Sequence, residues 1–282
     1  MEGESMQRIG IFYNPQSPAA ERSANDLDRW LRARGLTTWC CSRTDDEARE
    51  HLRGFDLLVC LGGDGTALRG AGLAISYNIP LLPVALGHLS FMAEVMPQAM
   101  FDAVERVLAG DFWLETRALA ETHVQRADAE PERFVALNEV LIGRGDLARV
   151  IEVAVRVDGT PMTTYYADGV LVATATGSTA YGLAAGGPVL DPRSQALVLV
   201  PVAAHLHNVP SLVLHEDARL ELEVASRYPA AMAIDGRVNR PLHSGDRVLV
   251  QRAPEVARFV RVEPPSYFYQ TLTRRLRRDD QH

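Results

Sequence analysis

Along this 282-residue chain the spacing of apolar residues changes once, near residues 114–117. Before that point they recur at helical intervals between short apolar runs; after it they alternate. A helix buries one stripe and a half-buried strand buries every second residue, so the change of period calls for two different kinds of layer in a fixed order. In the first part, Arg8–Asn14 reads as a buried strand, and Ala20, Ala24, Leu27 and Leu31 share one face of a helix closed by Gly35. Strands follow at 36–41, 56–61 and 81–85, with a capping-box helix from Thr44 and Glu47 to about His51 and another helix from Pro97 to Leu108. This order predicts a parallel sheet with right-handed crossovers, whose ligands bind beyond the carboxyl ends of the strands. In the second part, 149–175 alternates on both sides of a turn at Asp158-Gly159, and 218–226, 246–251 and 257–262 alternate as well, which predicts antiparallel sheet. The expected organisation is an α/β N-terminal domain with a parallel sheet over 1–115, a β-rich, antiparallel C-terminal domain over 116–262, and a helical, basic segment over 263–282 that is solvated or returns to the first domain.

Charge and residue usage narrow the chemistry. The chain has 29 basic and 36 acidic residues, for a net charge of -7, which disfavours nucleic acid and anionic lipid as partners. Every basic residue is arginine. Without lysine there is no P-loop lysine, no lysine of the protein-kinase type and no Schiff-base chemistry, so phosphate must be held by main-chain N–H groups, hydroxyls or arginine. Three cysteines without metal-type spacing, an acidic N-terminus and no apolar run of about 18 residues lead to the expectation of a cytoplasmic protein away from membranes.

Three segments carry candidate chemistry. In Leu58–Gly72, LVCLGGDGTALRGAG, an apolar strand runs into Gly62, Gly63 and Gly65 around the single acid Asp64. Glycines let successive N–H groups turn toward an anion, and a helix starting at Gly65 or Thr66 would add its N-terminal potential. An acid beside such a cradle is costly unless it binds a metal, accepts a hydroxyl proton or caps the helix. In Tyr165–Pro188, Asp168 precedes a strand and then a loop with Thr174, Thr176, Ser178, Thr179 and Tyr181. Short donors beside an aromatic face suit a ribose and a purine, although a hydroxyl-rich hairpin loop would have the same composition. In ALNEVLIG, Asn138 and Glu139 interrupt an apolar run; neighbours on a strand face opposite ways, so one of them points toward a core or cleft unless it meets solvent.

In this order the segments resemble the NAD kinase family, through LGGDGTALR (Leu61–Arg69), NEV (Asn138–Val140), YADGVLVATATGSTAYGLAAGGPV (Tyr166–Val189), AIDGR (Ala233–Arg237) and YFYQTL (Tyr267–Leu272). GGDGT alone is shared with diacylglycerol kinases; the TGSTAY segment behind NE is the specific part. The resemblance implies an NAD kinase-like fold and transfer of the γ-phosphoryl group of ATP to the 2′-hydroxyl of the adenosine ribose of NAD. It further implies Mg²⁺ or another divalent cation, no protein metal ligands, and a homodimer or homotetramer. Asp64 falls on the family's catalytic aspartate. Gly65 would contact NAD through its main chain, Asn138 and Glu139 would bind the dinucleotide, and Asp168, behind Tyr166, would hold the nicotinamide end. Thr176 and the run Thr179, Ala180, Tyr181, Gly182, Leu183 and Ala184 would line the adenosine pocket. Arg149 matches a substrate-side arginine, Arg237 stands where glutamine is usual, and Arg69 and Arg149 would neutralise phosphate. The chain keeps Gly87, Leu89 and Phe91 of a family motif, with Ser90 in place of glycine, Ala85 in place of asparagine and Ala175 in place of proline. A lipid kinase of the diacylglycerol type and a non-catalytic NAD-binding regulatory module are the alternatives.

Overall fold

A computed structural model describes residues 6–42, 44, 46–87, 90–126, 129–146, 149–205 and 210–276. Leu89 of the family motif and the last basic residues of the C-terminal segment lie outside the described residues. The chain divides into two compact units, residues 1–116 with 257–282 and residues 117–256.

The first unit is wound as the period predicts. β1 (Arg8–Tyr13), α1 (Pro18–Arg32), β2 (Thr37–Cys41), α2 (Asp46–His51), β3 (Leu57–Gly62), α3 (Asp64–Ala74), β4 (Leu81–Ala85) and α4 (Met100–Leu108) follow in order. The strands lie parallel as β2-β1-β3-β4. Ser17 caps α1 by accepting the Ala20 N–H at 3.2 Å, Pro18 occupies its first turn, and Ala20, Ala24, Leu27 and Leu31 form its buried face. That face and the apolar side of α4, with Val104 and Val107, join one core with Ile9, Ile11, Leu57, Val59, Leu82 and Val84 of the sheet. Pro97 opens a single 3₁₀ turn, Pro97–Ala99, before α4, so the helix expected from Pro97 is α-helical only from Met100.

The second unit is built from β5 (Trp113–Arg126, which begins in the first unit), β6 (Ala129–Ala136), β7 (Glu139–Arg144), β8 (Ile151–Val157), β9 (Thr160–Ala167), β10 (Gly169–Ala173), the short α5 (Tyr181–Ala184), β11 (Leu197–Val202), β12 (Leu212–Leu214), β13 (Leu220–Val224), β14 (Ala230–Ile234), β15 (Val238–Leu242) and β16 (Arg247–Arg261, which ends in the first unit). One sheet has the antiparallel order β12-β11-β10-β7-β14-β15, and β16-β13-β8-β9 pair antiparallel in another. Inward residues of both meet in a single core, Val140, Ile142, Val170 and Val172 with Val153, Val155, Leu220, Leu222, Val248 and Val250. This is the face-to-face packing of a sandwich. Asp158 (φ +50°) and Gly159 (φ +77°) make the expected tight turn between β8 and β9, a position that requires positive φ at both central residues.

The two alternating stretches expected at 246–251 and 257–262 are one 15-residue strand, β16. Pro254 lies within it, where proline normally interrupts pairing. The far end of β16 belongs to the first unit, where Phe259 pairs in parallel with Leu81 of β4. There the chain ends in α6 (Tyr267–Leu276). Among the described residues no helix is long and apolar enough to cross a membrane.

Candidate active site

In the first unit the candidate residues gather where β3 gives way to α3. Gly62 ends the strand against Thr66, and a Cβ there would collide with the Thr66 side chain, so this junction closes only on glycine. Gly63 is the N-cap of α3 and offers no side chain; its carbonyl accepts the N–H groups of Thr66 at 2.9 Å and Ala67 at 3.1 Å. A Cβ on Gly63 or Gly65 would meet nothing within 4 Å, so the main chain is bare on that side. The helix starts at Asp64, one residue before the expected start, because the extended Gly63 already supplies the cap. A carboxylate in the first turn is favoured by the helix dipole.

Asp64 does not cap its own helix. Its carboxylate accepts the Ser90 hydroxyl and the Met92 N–H (3.1 Å) on Oδ1, and the Phe91 N–H (3.0 Å) on Oδ2. The loop that supplies these donors is itself anchored. Ser90 Oγ accepts the N–H groups of Met92 and Ala93 at 3.0 and 2.7 Å. Arg261 donates to the Met92 carbonyl at 2.8 Å and pairs with Glu115 at 2.7 Å, both side chains being buried. Arg275 of α6, 7 % exposed, donates to the Ala93 carbonyl at 3.3 Å, and its burial lowers its pKa. Arg69, one turn along α3, reaches back to Thr66 Oγ1 at 3.4 Å. Asp64 is thus a part-exposed acid at a helix N-terminus, held by three donors of one loop.

In the second unit Asn138 and Glu139 stand at the entry to β7. The N–H groups of Leu137, Asn138 and Glu139 all donate to the carboxylate of Asp235, at 3.0, 2.7 and 3.2 Å. On the other side Thr174 donates its hydroxyl to the Leu137 carbonyl at 2.5 Å and its N–H to the Asn138 carbonyl at 2.9 Å, while Thr174 Oγ1 accepts the N–H groups of Thr176 and Gly177 at 3.1 and 3.3 Å. A Cβ on Gly177 would collide with the Asn138 carbonyl, so the hydroxyl loop can lie on the Asn138-Glu139 segment only with glycine there. Ser178 donates to the Ala175 carbonyl at 2.6 Å and accepts the Leu190 N–H at 3.0 Å; Thr179 donates to the Thr176 carbonyl at 3.0 Å. Most of the hydroxyls are therefore spent in shaping the loop. Arg117 donates to Thr176 Oγ1 at 3.4 Å. The chain then turns through Ala180 into α5, where Gly182 passes the Gly177 carbonyl too closely for a Cβ, Leu183 and Ala184 follow, and Tyr181 is 41 % exposed.

Two polar atoms in this cluster are buried without a hydrogen-bond partner, Asn138 Oδ1 and Glu139 Oε2. Both are acceptors, and leaving them unpaired costs about 1–3 kcal/mol each. A ligand carrying neighbouring hydroxyl or amino donors would remove that cost. Burial, reinforced by the adjacent charge of Asp235, pushes the Glu139 carboxyl up to about 7. Asp235 is also raised by burial, against the pull of its three N–H donors and Arg237, whose Nη2 lies 3.9 Å from Oδ2.

The other expected residues are engaged elsewhere in the second unit. The Arg149 guanidinium sits 5.2 Å over the Tyr228 ring, Asp168 pairs with Arg144 at 3.5 Å, and the Tyr166 carbonyl accepts the His205 N–H at 2.7 Å. None of these contacts joins them to Asn138 and Glu139. Asp235 enters the sequence reading only within the AIDGR motif and not as a site residue; in the structure its Asp-Gly pair makes the hairpin turn between β14 and β15. Ser90 was marked only as a departure from glycine, since nothing in the sequence places it beside Asp64.

Fold and motifs together define a two-domain nucleotide-binding protein, and comparison with known proteins agrees. The model of the ATP-NAD kinase N-terminal domain matches residues 10–112, and that of the ATP-NAD kinase C-terminal domain matches residues 137–262. The chain is 50% identical over 274 residues to an NAD kinase of Chloroflexus aurantiacus, covering 97% of this chain and 99% of the relative. It is 39% identical over 273 residues to an NAD kinase of Dehalococcoides mccartyi, covering 96% of each. Among solved structures it superposes on yeast NADH kinase complexed with NADH (TM-score 0.83, 21% identity, 99% of this chain and 90% of that one). It also superposes on an Archaeoglobus fulgidus NAD kinase in complex with ATP (TM-score 0.76, 22% identity, 96% and 99%). The chain belongs to the NAD kinase family.

Proposed function

We propose that this protein transfers the γ-phosphoryl group of ATP to the 2′-hydroxyl of the adenosine ribose of NAD, giving NADP and ADP. The observation that carries the reading is Asp64: a part-exposed carboxylate fixed by three donors at the start of α3, beside glycines that leave the main chain bare. Near-full-length identity to NAD kinases supports it.

In the step, the ribose 2′-oxygen forms a bond to the γ-phosphorus as the bond from that phosphorus to the ADP oxygen breaks. The hydroxyl proton passes to the Asp64 carboxylate and then to solvent. The transition state is loose, so position and charge neutralisation matter more than basicity, and a held carboxylate suffices. The main chain at Gly65 would face the dinucleotide, Asn138 Oδ1 and Glu139 Oε2 would accept its hydroxyl or amino protons, and the loop 174–184 with Tyr181 would take the adenosine. Arg69 and Arg149 are the cations assigned to phosphate, and Asp168 to the nicotinamide end.

Among the described residues no group of three or more His, Cys, Asp or Glu side chains could hold a metal. Mg²⁺ or another divalent cation would come with the ATP phosphates, with Arg69 and Arg149 as the protein's own cations beside them, and would supply charge neutralisation for the transfer. A homodimer or homotetramer in the cytoplasm completes the proposal; the three cysteines are thiols, as a reducing compartment requires. The test is incubation with ATP, Mg²⁺ and NAD, with NADP read by a coupled dehydrogenase. NADP above a protein-free control is the expected result, and none would overturn the reading.

A further inference from the structure

We propose that Asp235 is the positioning residue of the dinucleotide site: its carboxylate gathers three consecutive main-chain N–H groups and thereby aims Asn138 and Glu139, while its charge faces Glu139. The inference rests on the reading above that these two residues bind NAD.

Three features carry it. First, Asp235 is 8 % exposed and adopts φ +50°, a left-handed conformation that costs a non-glycine residue energy. A turn alone would be made at least as well by glycine or asparagine. Second, its three hydrogen bonds do not serve its own hairpin. They run to Leu137, Asn138 and Glu139, nearly a hundred positions away, and its own N–H donates to the Glu139 carbonyl at 3.0 Å. With Thr174 bonded to the opposite side of the same segment, the main chain of 137–139 is fixed on both flanks. The side chains it carries hold the unpartnered acceptors Asn138 Oδ1 and Glu139 Oε2. Third, a carboxylate is a costly choice beside a buried glutamate, since like charges disfavour each other's ionisation. An amide oxygen could accept two of the three N–H groups without that cost. Burial, with this charge adding to it, makes Glu139 hold its proton into the neutral range, up to about 7. Among the described residues the cation recorded against this pair is Arg237, whose Nη2 lies 3.9 Å from Asp235 Oδ2. As an ionised Glu139 is the better acceptor for ligand donors, NAD affinity should rise with pH through that range.

The test uses the full chain with D235A, D235N and E139Q, measuring kcat and KM for NAD and for ATP from pH 5.5 to 8.5. D235N keeps an oxygen for the Asn138 and Glu139 N–H groups, both of which bond to Oδ1, so it retains the turn while losing the charge. D235A is expected to raise the KM for NAD at least tenfold and leave that for ATP within twofold. D235N is expected to move the pH inflection of the NAD KM downward by about one unit, and E139Q to abolish it. A fall in structural stability alone would move neither the NAD-to-ATP split nor the inflection. NADP made by the unaltered protein, with both Asp235 variants keeping its NAD KM and inflection, would overturn this inference alone. No NADP from the unaltered protein would overturn it together with the functional reading.

Discussion

Ser90 donates its hydroxyl proton to Asp64, and the geometry leaves that proton no other direction, because the Ser90 oxygen already accepts the N–H groups of Met92 and Ala93. A carboxylate has about four acceptor positions. Ser90 and Met92 fill those on Oδ1, whereas among the described residues Oδ2 receives Phe91 alone. Oδ2 is therefore the atom with room for a substrate hydroxyl. The same contacts that tie down the loop also set which oxygen keeps acceptor capacity.

It follows that Ser90 contributes to rate through Asp64. S90A is expected to lower kcat about tenfold with the KM for NAD unchanged, a loss in the range of one misaligned catalytic group. In the D64N background the same substitution should cost almost nothing further, because groups acting as a unit are not additive. Equal fold-losses in both backgrounds would mean that Ser90 serves only the loop.

Gly177 is the second steric condition. An added methyl collides with the Asn138 carbonyl rather than with the end of a flexible side chain, so the loop or the Asn138-Glu139 segment must shift. G177A is expected to destabilise the protein by at least about 2 kcal/mol in urea unfolding and to weaken NAD binding more than ATP binding.

Glu139 makes stability depend on pH. Its carboxyl stands at about 7 in the folded protein against an ordinary 4.5, so between those values the folded state binds more protons than the unfolded chain. Stability from this group is complete below about 4.5 and is lost as pH rises through 7, by about 3 kcal/mol in all. Urea unfolding at pH 5 and 8 should show that contribution in the unaltered protein and not in E139Q. Because Asp235 is shifted in the same direction, it adds to the trend.

The Arg261–Glu115 pair beneath the Asp64 loop is buried on both sides, and Arg261 also holds the Met92 carbonyl. Removing one partner strands a charge, so E115L should cost about 3–5 kcal/mol in unfolding experiments. It should also lower kcat by releasing the loop that holds Asp64.

The parallel sheet of the first unit and the antiparallel pairing of the second were legible in the sequence because each buries its apolar residues with its own period, seen in Ala20–Leu31 of α1 and in the alternation of β8 and β9. The continuity of β16 was not, since Pro254 reads as an interruption and only long-range pairing carries the strand past it. The segments of the site were legible as polar residues in apolar surroundings, as with Asn138 and Glu139. Their partners were hidden for a common reason. Ser90 lies 26 positions from Asp64 and Asp235 lies 97 from Asn138, and no local pattern encodes contacts that the sheet topology brings about.

The account turns on the Asp64 carboxylate, and D64N tests it directly because the amide keeps the size and one acceptor oxygen while losing the charge. With ATP, Mg²⁺ and NAD saturating, NADP formation by D64N should fall at least about a hundredfold, with NAD binding by calorimetry within threefold of the unaltered protein. Turnover by D64N equal to that of the unaltered protein would contradict the account, leaving Asp64 as no more than the clasp of its own loop.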